Sequence, residues 1–192
     1  MRLALYGGTF DPVHHGHLIL ARDALEELEI DRVVFIPARL SPHKLATTPA
    51  PAEVRRAMLA AAIADEPAFV LDDSELGTEG PSYTIDTVER VRAAHPDATL
   101  FYLIGADNLR ALHTWRRIDD LRRLVEFVVF GRHGKAQEGP GSFRTLTRRV
   151  DISATEIRQR VAHGQSIRYF VPEPVRSLID AHHLYQDLPH QI

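Results

Sequence analysis

The sequence predicts an α/β fold with a doubly wound, Rossmann-like parallel sheet. Short apolar runs of strand length alternate with stretches whose apolar residues recur every three or four positions, the helical period. Strands separated by helices form βαβ units with right-handed crossovers, and such units build parallel sheets covered by helices on both faces. We find no internal repeat and no linker long enough to separate two units, so residues 1–192 are expected to form a single domain.

Strand-type runs and helical spacing alternate from residue 2 to residue 105. Apolar runs at 2–6, 33–36 and 69–71 have the length and composition of strands. Apolar residues recur at helical spacing from Gly16, from Val54 and from Ile85 onward. The run at 100–104 is apolar throughout and stops at Gly105, which is typical of a strand buried on both faces.

The elements after Gly105 are shorter. Apolar spacing predicts one short helix around 109–112, a second at 118–124, and a strand at 127–130. Residues 131–142 contain four glycines and a proline, a composition that predicts a mobile surface loop.

The composition of the chain excludes some classes of binding partner and some kinds of chemistry. The net charge is −3, so no overall positive field attracts nucleic acid or an anionic membrane, and an anionic ligand needs a local site. The sequence contains no cysteine, which excludes disulfides, thiolate metal sites and a thiol nucleophile and fits the cytoplasm. The first apolar run is too short for a signal sequence or a membrane span, so we expect a cytoplasmic protein. The sequence leaves the formation of a homo-oligomer open.

The segment 7–17 connects the first predicted strand to the first predicted helix. In an open α/β sheet this loop borders the ligand crevice, and the helix N-terminus offers unpaired N–H groups to a phosphate. His14 and His17 are three positions apart, so both imidazoles reach one ligand if the helix begins between them. Imidazoles hydrogen-bond phosphate oxygens and stabilise the charge that develops during phosphoryl transfer. The segment therefore predicts a phosphate site. There are two alternatives: a zinc site, for which the sequence shows no third ligand nearby, and a simple helix-capping loop.

A second motif lies near the other end of the chain, at 151–158. Ser153 and Glu156 form a capping box, so a helix is expected to begin there. Thr155 and the N–H groups of the first turn can face an anion. Arg158 stands one turn further along, where its guanidinium can bind a phosphate in bidentate fashion. Helix capping alone is the alternative interpretation.

Together the two motifs resemble the paired signatures of the nucleotidyltransferase α/β-phosphodiesterase superfamily. The first is Gly8-Thr9-Phe10-Asp11-Pro12 with His14-x-Gly16-His17, and the second is Ile152-Ser153-x-Thr155-x-Ile157-Arg158. Three further segments resemble bacterial nicotinate-nucleotide adenylyltransferases: Pro37 with Ser41-Pro42-His43-Lys44, then Ser82-Tyr83-Thr84-Ile85-Asp86-Thr87, then Gly105-Ala106-Asp107-Asn108 leading to Leu112 and Trp115. The resemblance spans residues 3 to about 185. Ala154 departs from it, because the second motif commonly has Ser there and a hydroxyl contact to phosphate is therefore missing.

The resemblance implies transfer of the AMP part of ATP to nicotinate mononucleotide, which gives nicotinate adenine dinucleotide and pyrophosphate in NAD biosynthesis. Catalysis is expected to rest on positioning and charge stabilisation, without a covalent nucleophile. The implied catalytic residues are His14, His17, Lys44 and Arg158. The implied ATP-binding residues are Gly7, Gly8, Thr9, Phe10, His14, His17, Gly105, Asp107, Ile152, Ser153, Thr155 and Arg158. Mg²⁺ is expected to bind through the ATP phosphates, with Asp11 or Asp107 beside its water shell and no residue assigned as a direct ligand.

The pyridine nucleotide is expected to contact a separate group of residues. These are Lys44, Ser82, Tyr83, Thr84, Asp107, Trp115 and Arg132. The turn at 82–84 offers N–H and hydroxyl donors, which suit a carboxylate better than an amide, so nicotinate should be preferred over nicotinamide. Trp115 offers an aromatic face for stacking, and its alternative interpretation is a partly buried packing residue.

Two other functions compete with this interpretation. An adenylyltransferase for another phosphorylated acceptor, such as phosphopantetheine, would share the first motif, but the segments with Tyr83 and Trp115 argue against it. A nucleotide-binding regulator without turnover would keep the pocket, but four residues argue against that: His14, His17, Lys44 and Arg158.

Overall fold

Six parallel strands form one sheet in this computed structural model, which describes residues 1–39, 48–77, 80–131 and 143–186. The strands are β1 (Arg2–Gly8), β2 (Arg32–Pro37), β3 (Phe69–Leu71), β4 (Thr99–Gly105), β5 (Glu126–Gly131) and β6 (Arg144–Thr147). Their order across the sheet is β3-β2-β1-β4-β5-β6, and every neighbouring pair is parallel. This is the doubly wound order, in which a ligand crevice forms where the strand order reverses, between β1 and β4.

The register shows how this crevice opens. β1 pairs with β2 from Leu3 to its last residue, Gly8. It pairs with β4 only as far as Leu5 opposite Tyr102. The carboxyl ends of β1 and β4 therefore separate, and the residues that follow the pairing are available to line a cleft.

Helices cover both faces of the sheet. They are α1 (His15–Glu27), α2 (Ala52–Ile63), α3 (Thr84–Ala94), α4 (Ala106–Leu109), α5 (Ile118–Leu124), α6 (Ala154–Ala162) and α7 (Glu173–Ala181). Alternate strand residues face two cores, because successive side chains of a strand point to opposite faces. Ala4 and Tyr6 belong to the core under α1, α2, α6 and α7. Leu3 and Leu5 belong to the core under α3 and α5.

The predicted fold class and the five predicted strands are confirmed, with bounds that differ by one or two residues. The predicted helix at 109–112 is wrong in detail, because α4 ends at Leu109 and a separate 3₁₀ turn follows at Leu112–Thr114. β6 and α7 were not predicted from the sequence. β6 is four residues long, and its one buried apolar side chain, Leu146, provides no alternating pattern to detect. The predicted loop beyond Gly131 lies outside the described residues, and the single domain stays a prediction.

Within the described ranges, no helix is long and apolar enough to cross a membrane.

Candidate active site

The first loop, residues 9–14, leaves β1 and leads into α1 at the carboxyl end of the sheet. His14 occupies the N-cap position, and α1 begins at His15, close to the predicted start. The backbone N–H of His14 donates to Nδ1 of His17 at 3.2 Å, and the two rings stack with centroids 3.7 Å apart. A Cβ at Gly16 would lie 2.9 Å from Nδ1 of His14, so a larger residue would fit there only if the His14 ring shifted. Both predicted histidines therefore stand together at the start of the helix.

His14 is held in its neutral form. Its side chain is buried, with 6% of the residue exposed. Burial, followed by the neighbouring charge of His15, lowers the pKa of His14 to about 4. Its Nδ1 has no hydrogen-bond partner among the described residues. A bound anion would oppose this shift, because a nearby negative charge favours the protonated imidazole.

The second motif begins α6 as predicted. Ser153 is the N-cap residue, and its hydroxyl oxygen accepts a hydrogen bond from the backbone N–H of Glu156 at 3.1 Å. Arg158 Nη1 donates to the backbone carbonyl of Asp11 at 2.8 Å, and Nη2 donates to Oγ1 of Thr155 at 3.3 Å. The first of these bonds joins residues 147 positions apart. The two sequence motifs are thus brought into direct contact.

A cleft of about 1070 Å³ lies between the two motifs. Its lining includes almost every residue predicted to bind ATP: Gly7, Gly8, Thr9, Phe10, His14, His17, Gly105, Ile152, Ser153, Thr155 and Arg158. Asp107 is the exception, because the orientation of its side chain is outside what the structure describes, although Ala106 and Asn108 on either side line the cleft. Backbone N–H groups, imidazoles and a guanidinium in one cleft are a set of donors suited to a polyphosphate.

Of the residues predicted to bind the pyridine nucleotide, Tyr83, Thr84 and Trp115 lie beside the core under α3 and α5, on the other face of the sheet. We call Tyr83, Thr84, Tyr102, Trp115 and Phe127 the Tyr102 cluster. The Trp115 ring packs edge-on against Tyr102 at 5.7 Å and against Phe127 at 6.2 Å. Thr84 Oγ1 lies 3.4 Å from the Tyr102 hydroxyl, and Tyr83 is the N-cap residue of α3. None of the five is among the residues that line the cleft.

Ser82 is fixed just outside this cluster. Its hydroxyl oxygen accepts from the backbone N–H of Arg39 at 3.3 Å. Its side chain also hydrogen-bonds Glu75, whose pKa is raised because burial outweighs this bond and the bond from Thr87. The turn at 82–84 is thus held by contacts that the sequence did not reveal.

Gly7 is where the cleft and the Tyr102 cluster meet. A Cβ at this position would lie 2.3 Å from the Tyr102 hydroxyl oxygen, so no larger residue fits there without a shift. The glycine lets the Tyr102 hydroxyl approach β1 closely. The two groups of candidate residues are therefore neighbours across the end of β1.

Lys44 and Arg132 lie outside the described ranges, and the side chain of Asp107 is likewise outside them.

The sequence analysis missed Arg55. This residue is 1% exposed, and its guanidinium donates to four backbone carbonyls, those of Thr9, Ala38, Arg39 and Ala50, at 2.7 to 3.2 Å. It therefore ties the first loop to the end of β2 and to the start of α2. The sequence did contain a signal for a buried Arg55. This residue stands three and four positions before Met58 and Leu59, which are fully buried, so the helical period places its charge on the apolar face of α2.

The described residues contain no group of three His, Asp or Glu side chains that could hold a metal ion. Asp11 is the one carboxylate among the described residues that line the cleft. Its Oδ1 already accepts from the Tyr185 hydroxyl at 2.7 Å and from the Ala50 N–H at 3.2 Å. This donor set fits a cation held through a ligand's phosphate oxygens rather than through a cage of protein oxygens.

Comparisons with known proteins agree with the geometry. The sequence matches the cytidylyltransferase-like family over residues 5–160. It is 43% identical over 188 residues to "probable nicotinate-nucleotide adenylyltransferase" of Exiguobacterium sibiricum, covering 96% of this chain and 99% of that protein. A protein of the same name from Thermus thermophilus is 42% identical, with 97% and 100% covered.

Among solved structures, the fold is similar to Plasmodium falciparum nicotinic acid mononucleotide adenylyltransferase complexed with NaAD. The TM-score is 0.76 at 20% identity, and the match covers 96% of this chain and 97% of that one. At this level of identity the likeness concerns the fold. Family membership rests on the sequence matches: the chain belongs to the cytidylyltransferase-like family and, within it, to the nicotinate-nucleotide adenylyltransferases.

Proposed function

We propose that the cleft binds ATP and that the protein transfers its AMP part to nicotinate mononucleotide. The observation that carries this proposal is the junction of the two motifs, where the stacked pair His14 and His17 faces the same cleft as Arg158. Residues at the N-termini of α1 and α6 line this cleft, and a helix N-terminus can offer backbone N–H groups to phosphates.

The reaction follows from this placement of donors. An oxygen of the mononucleotide phosphate attacks the α-phosphorus of ATP, the new P–O bond forms, and the bond to the β-phosphate oxygen breaks to release pyrophosphate. The attacking phosphate is already ionised, so no general base is needed. His14 and His17 stabilise the charge on the reacting phosphates, and Thr155 and Arg158 bind the departing β- and γ-phosphates. The protein's contribution is alignment and electrostatic stabilisation.

Mg²⁺ fits this cleft as a partner of the nucleotide. It would neutralise charge on the phosphates and keep several of its waters. Asp11 Oδ1 accepts from Tyr185 and Ala50, and Asp11 keeps the role proposed from the sequence, beside the water shell of the metal. Asp107 keeps the role proposed from the sequence, near the water shell or a ribose hydroxyl.

The Tyr102 cluster and Ser82 are proposed to form the acceptor side. Their N–H and hydroxyl donors suit the nicotinate carboxylate, and the exposed part of the Trp115 ring offers a stacking face. Lys44 is proposed to bridge the two anionic substrates, with Arg132 at the mouth of the site.

The experiment that tests this function measures pyrophosphate release with ATP and Mg²⁺ against three acceptors. Nicotinate mononucleotide should give a kcat/KM about tenfold or more above that of nicotinamide mononucleotide. The reason is that the amide NH₂ of nicotinamide is a donor and would face the N–H and hydroxyl donors of the pocket. Phosphopantetheine should give no release above background. Equal kcat/KM values for the two pyridine nucleotides would contradict recognition of the nicotinate carboxylate by these donors. Turnover with phosphopantetheine alone would contradict a pyridine nucleotide as the acceptor.

A further inference from the structure

The segment that follows α7 reaches back to the first loop. The hydroxyl of Tyr185 donates to Oδ1 of Asp11 at 2.7 Å, across 174 positions of sequence. Asp11 is buried, with 8% of the residue exposed, and both residues line the cleft. The hydroxyl's proton is firmly held, because burial and the charge of Asp11 both raise the pKa of Tyr185. The Tyr185 hydroxyl is therefore a fixed donor to this carboxylate.

Asp11 joins this segment to two others. Its Oδ1 also accepts from the backbone N–H of Ala50, at 3.2 Å, just before α2. Its backbone carbonyl accepts from Arg158 Nη1 at 2.8 Å. The buried Arg55 lies close enough for the Asp11 charge to oppose the fall in its pKa that burial causes. One residue thus connects the carboxy-terminal segment, the start of α2 and the guanidinium of α6.

This arrangement lets the hydroxyl of Tyr185 act on Arg158 through Asp11. Without that hydroxyl, Oδ1 of Asp11 would keep only the Ala50 N–H among its observed donors, in a position largely closed to water. A buried carboxylate that loses a donor moves to recover solvation. The carbonyl of the same residue would move with it, and Arg158 would lose the acceptor that sets its direction.

We propose that Tyr185 is a positioning residue for the ATP side of the site, acting through Asp11 on the first loop and on Arg158. This inference rests on the proposed ATP-binding cleft. It assigns a role in substrate alignment to a segment that the transfer mechanism itself does not use.

The test compares Tyr185→Phe with Tyr169→Phe. The two changes are chemically identical, but Tyr169 is 80% exposed and does not line the cleft. Pyrophosphate release is measured with ATP varied at saturating nicotinate mononucleotide, and then with the substrates exchanged. Tyr185→Phe should raise the KM for ATP about fivefold and leave the KM for the acceptor within about twofold. Tyr169→Phe should change neither value.

Three further measurements separate positioning from general stability. Arg158→Lys and the double variant with Tyr185→Phe complete a cycle, in which the loss in the double variant should be smaller than the product of the single losses. Calorimetric binding of a non-hydrolysable ATP analogue to each protein, without acceptor, should show the same order of affinities. Thermal unfolding of each protein checks that the fold is kept.

Parallel rises in both KM values, multiplicative losses in the cycle, or unchanged affinity for the ATP analogue would each overturn the role of Tyr185. A wild-type protein that releases no pyrophosphate with nicotinate mononucleotide would instead contradict the proposed function. The binding of the analogue would still decide the role of Tyr185 in that case, so the two failures are distinguishable.

Discussion

The cleft and the Tyr102 cluster lie on opposite sides of the end of β1, and different kinds of chemical group form them. The cleft is formed by backbone at two helix starts, by a loop after a strand, and by a few polar side chains that line it. In the Tyr102 cluster, aromatic and hydroxyl side chains pack on one another, and Trp115 contacts Tyr102 and Phe127 ring to ring. A site made of backbone donors is formed before its ligand arrives, whereas a site made of packed side chains has to present part of its surface to the ligand. The phosphate half should therefore depend on single polar groups, whereas the acceptor half should depend on its packed shape as well as on its donors.

The largest expected effect tests whether the cleft depends on single donors. His17→Ala should reduce kcat by about a hundredfold or more, because it removes a donor to the reacting phosphates. The fold should persist, since the strand and helix around His17 keep their apolar contacts. Steady-state rates and a thermal unfolding curve measure the two properties, with the exposed His95→Ala as a control. Near wild-type turnover would show that His17 is not a donor to the reaction.

The second prediction concerns the neutral state of His14. In the folded protein the pKa of this imidazole is about 4, so the ring stays neutral until the pH falls to about that value. In the unfolded chain its pKa is near the ordinary value of 6.5. The unfolded state therefore holds more protons between these values, and the free energy of unfolding falls as the pH falls through this range. The loss should reach up to about 3 kcal/mol near pH 4.

Chemical unfolding of the wild type and of His14→Asn at several pH values between 7 and 4 measures this contribution. The difference between the two proteins cancels groups that titrate alike in both. The wild type should lose stability faster than the variant as the pH falls. Parallel curves would show that burial of His14 does not hold it neutral.

The third prediction separates the two halves directly. Arg158→Ala should raise the KM for ATP by about tenfold, because a charge-assisted hydrogen bond to the departing phosphates is lost. The KM for the acceptor should change little. Arg160→Ala is the matched control on the same helix, since that guanidinium donates to the Ser166 carbonyl and stacks on the Phe170 ring. A parallel rise in both KM values would mean that the halves are coupled through a shared step.

The smallest expected effect is on the acceptor side. Trp115→Ala should raise the KM for nicotinate mononucleotide about fivefold and leave the KM for ATP unchanged, because a stacking face worth about 1 kcal/mol is lost. Phe143→Ala serves as the control, since it removes another ring that packs on Phe127, at 6.4 Å. Equal changes in the two variants would identify Trp115 as a packing residue of the cluster.

The parts of the site that sequence analysis located are those that lie close together in the chain. His14 and His17 are one helical turn apart, and Ser153 caps α6 by accepting from the Glu156 N–H three positions on, so the geometry of both pairs follows from the position of a helix start. The sequence analysis ended the first strand at Tyr6 and put Gly7 and Gly8 in the loop, which was wrong, because both glycines pair with β2 as the last two residues of β1. Trp115 was harder to interpret, since stacking on a ligand and packing in a core require the same residue type.

The sequence by itself determined the fold class, the positions of five strands and the starts of the helices at the two motifs, because periodicity and capping act over a few residues. Only the tertiary structure decided that Arg158 meets the Asp11 carbonyl, that Tyr185 closes on the Asp11 carboxylate, and that Gly7 admits the Tyr102 hydroxyl. These contacts join residues far apart in the chain. They depend on the order of the strands and on where β1 and β4 separate, and a local pattern carries no information about either.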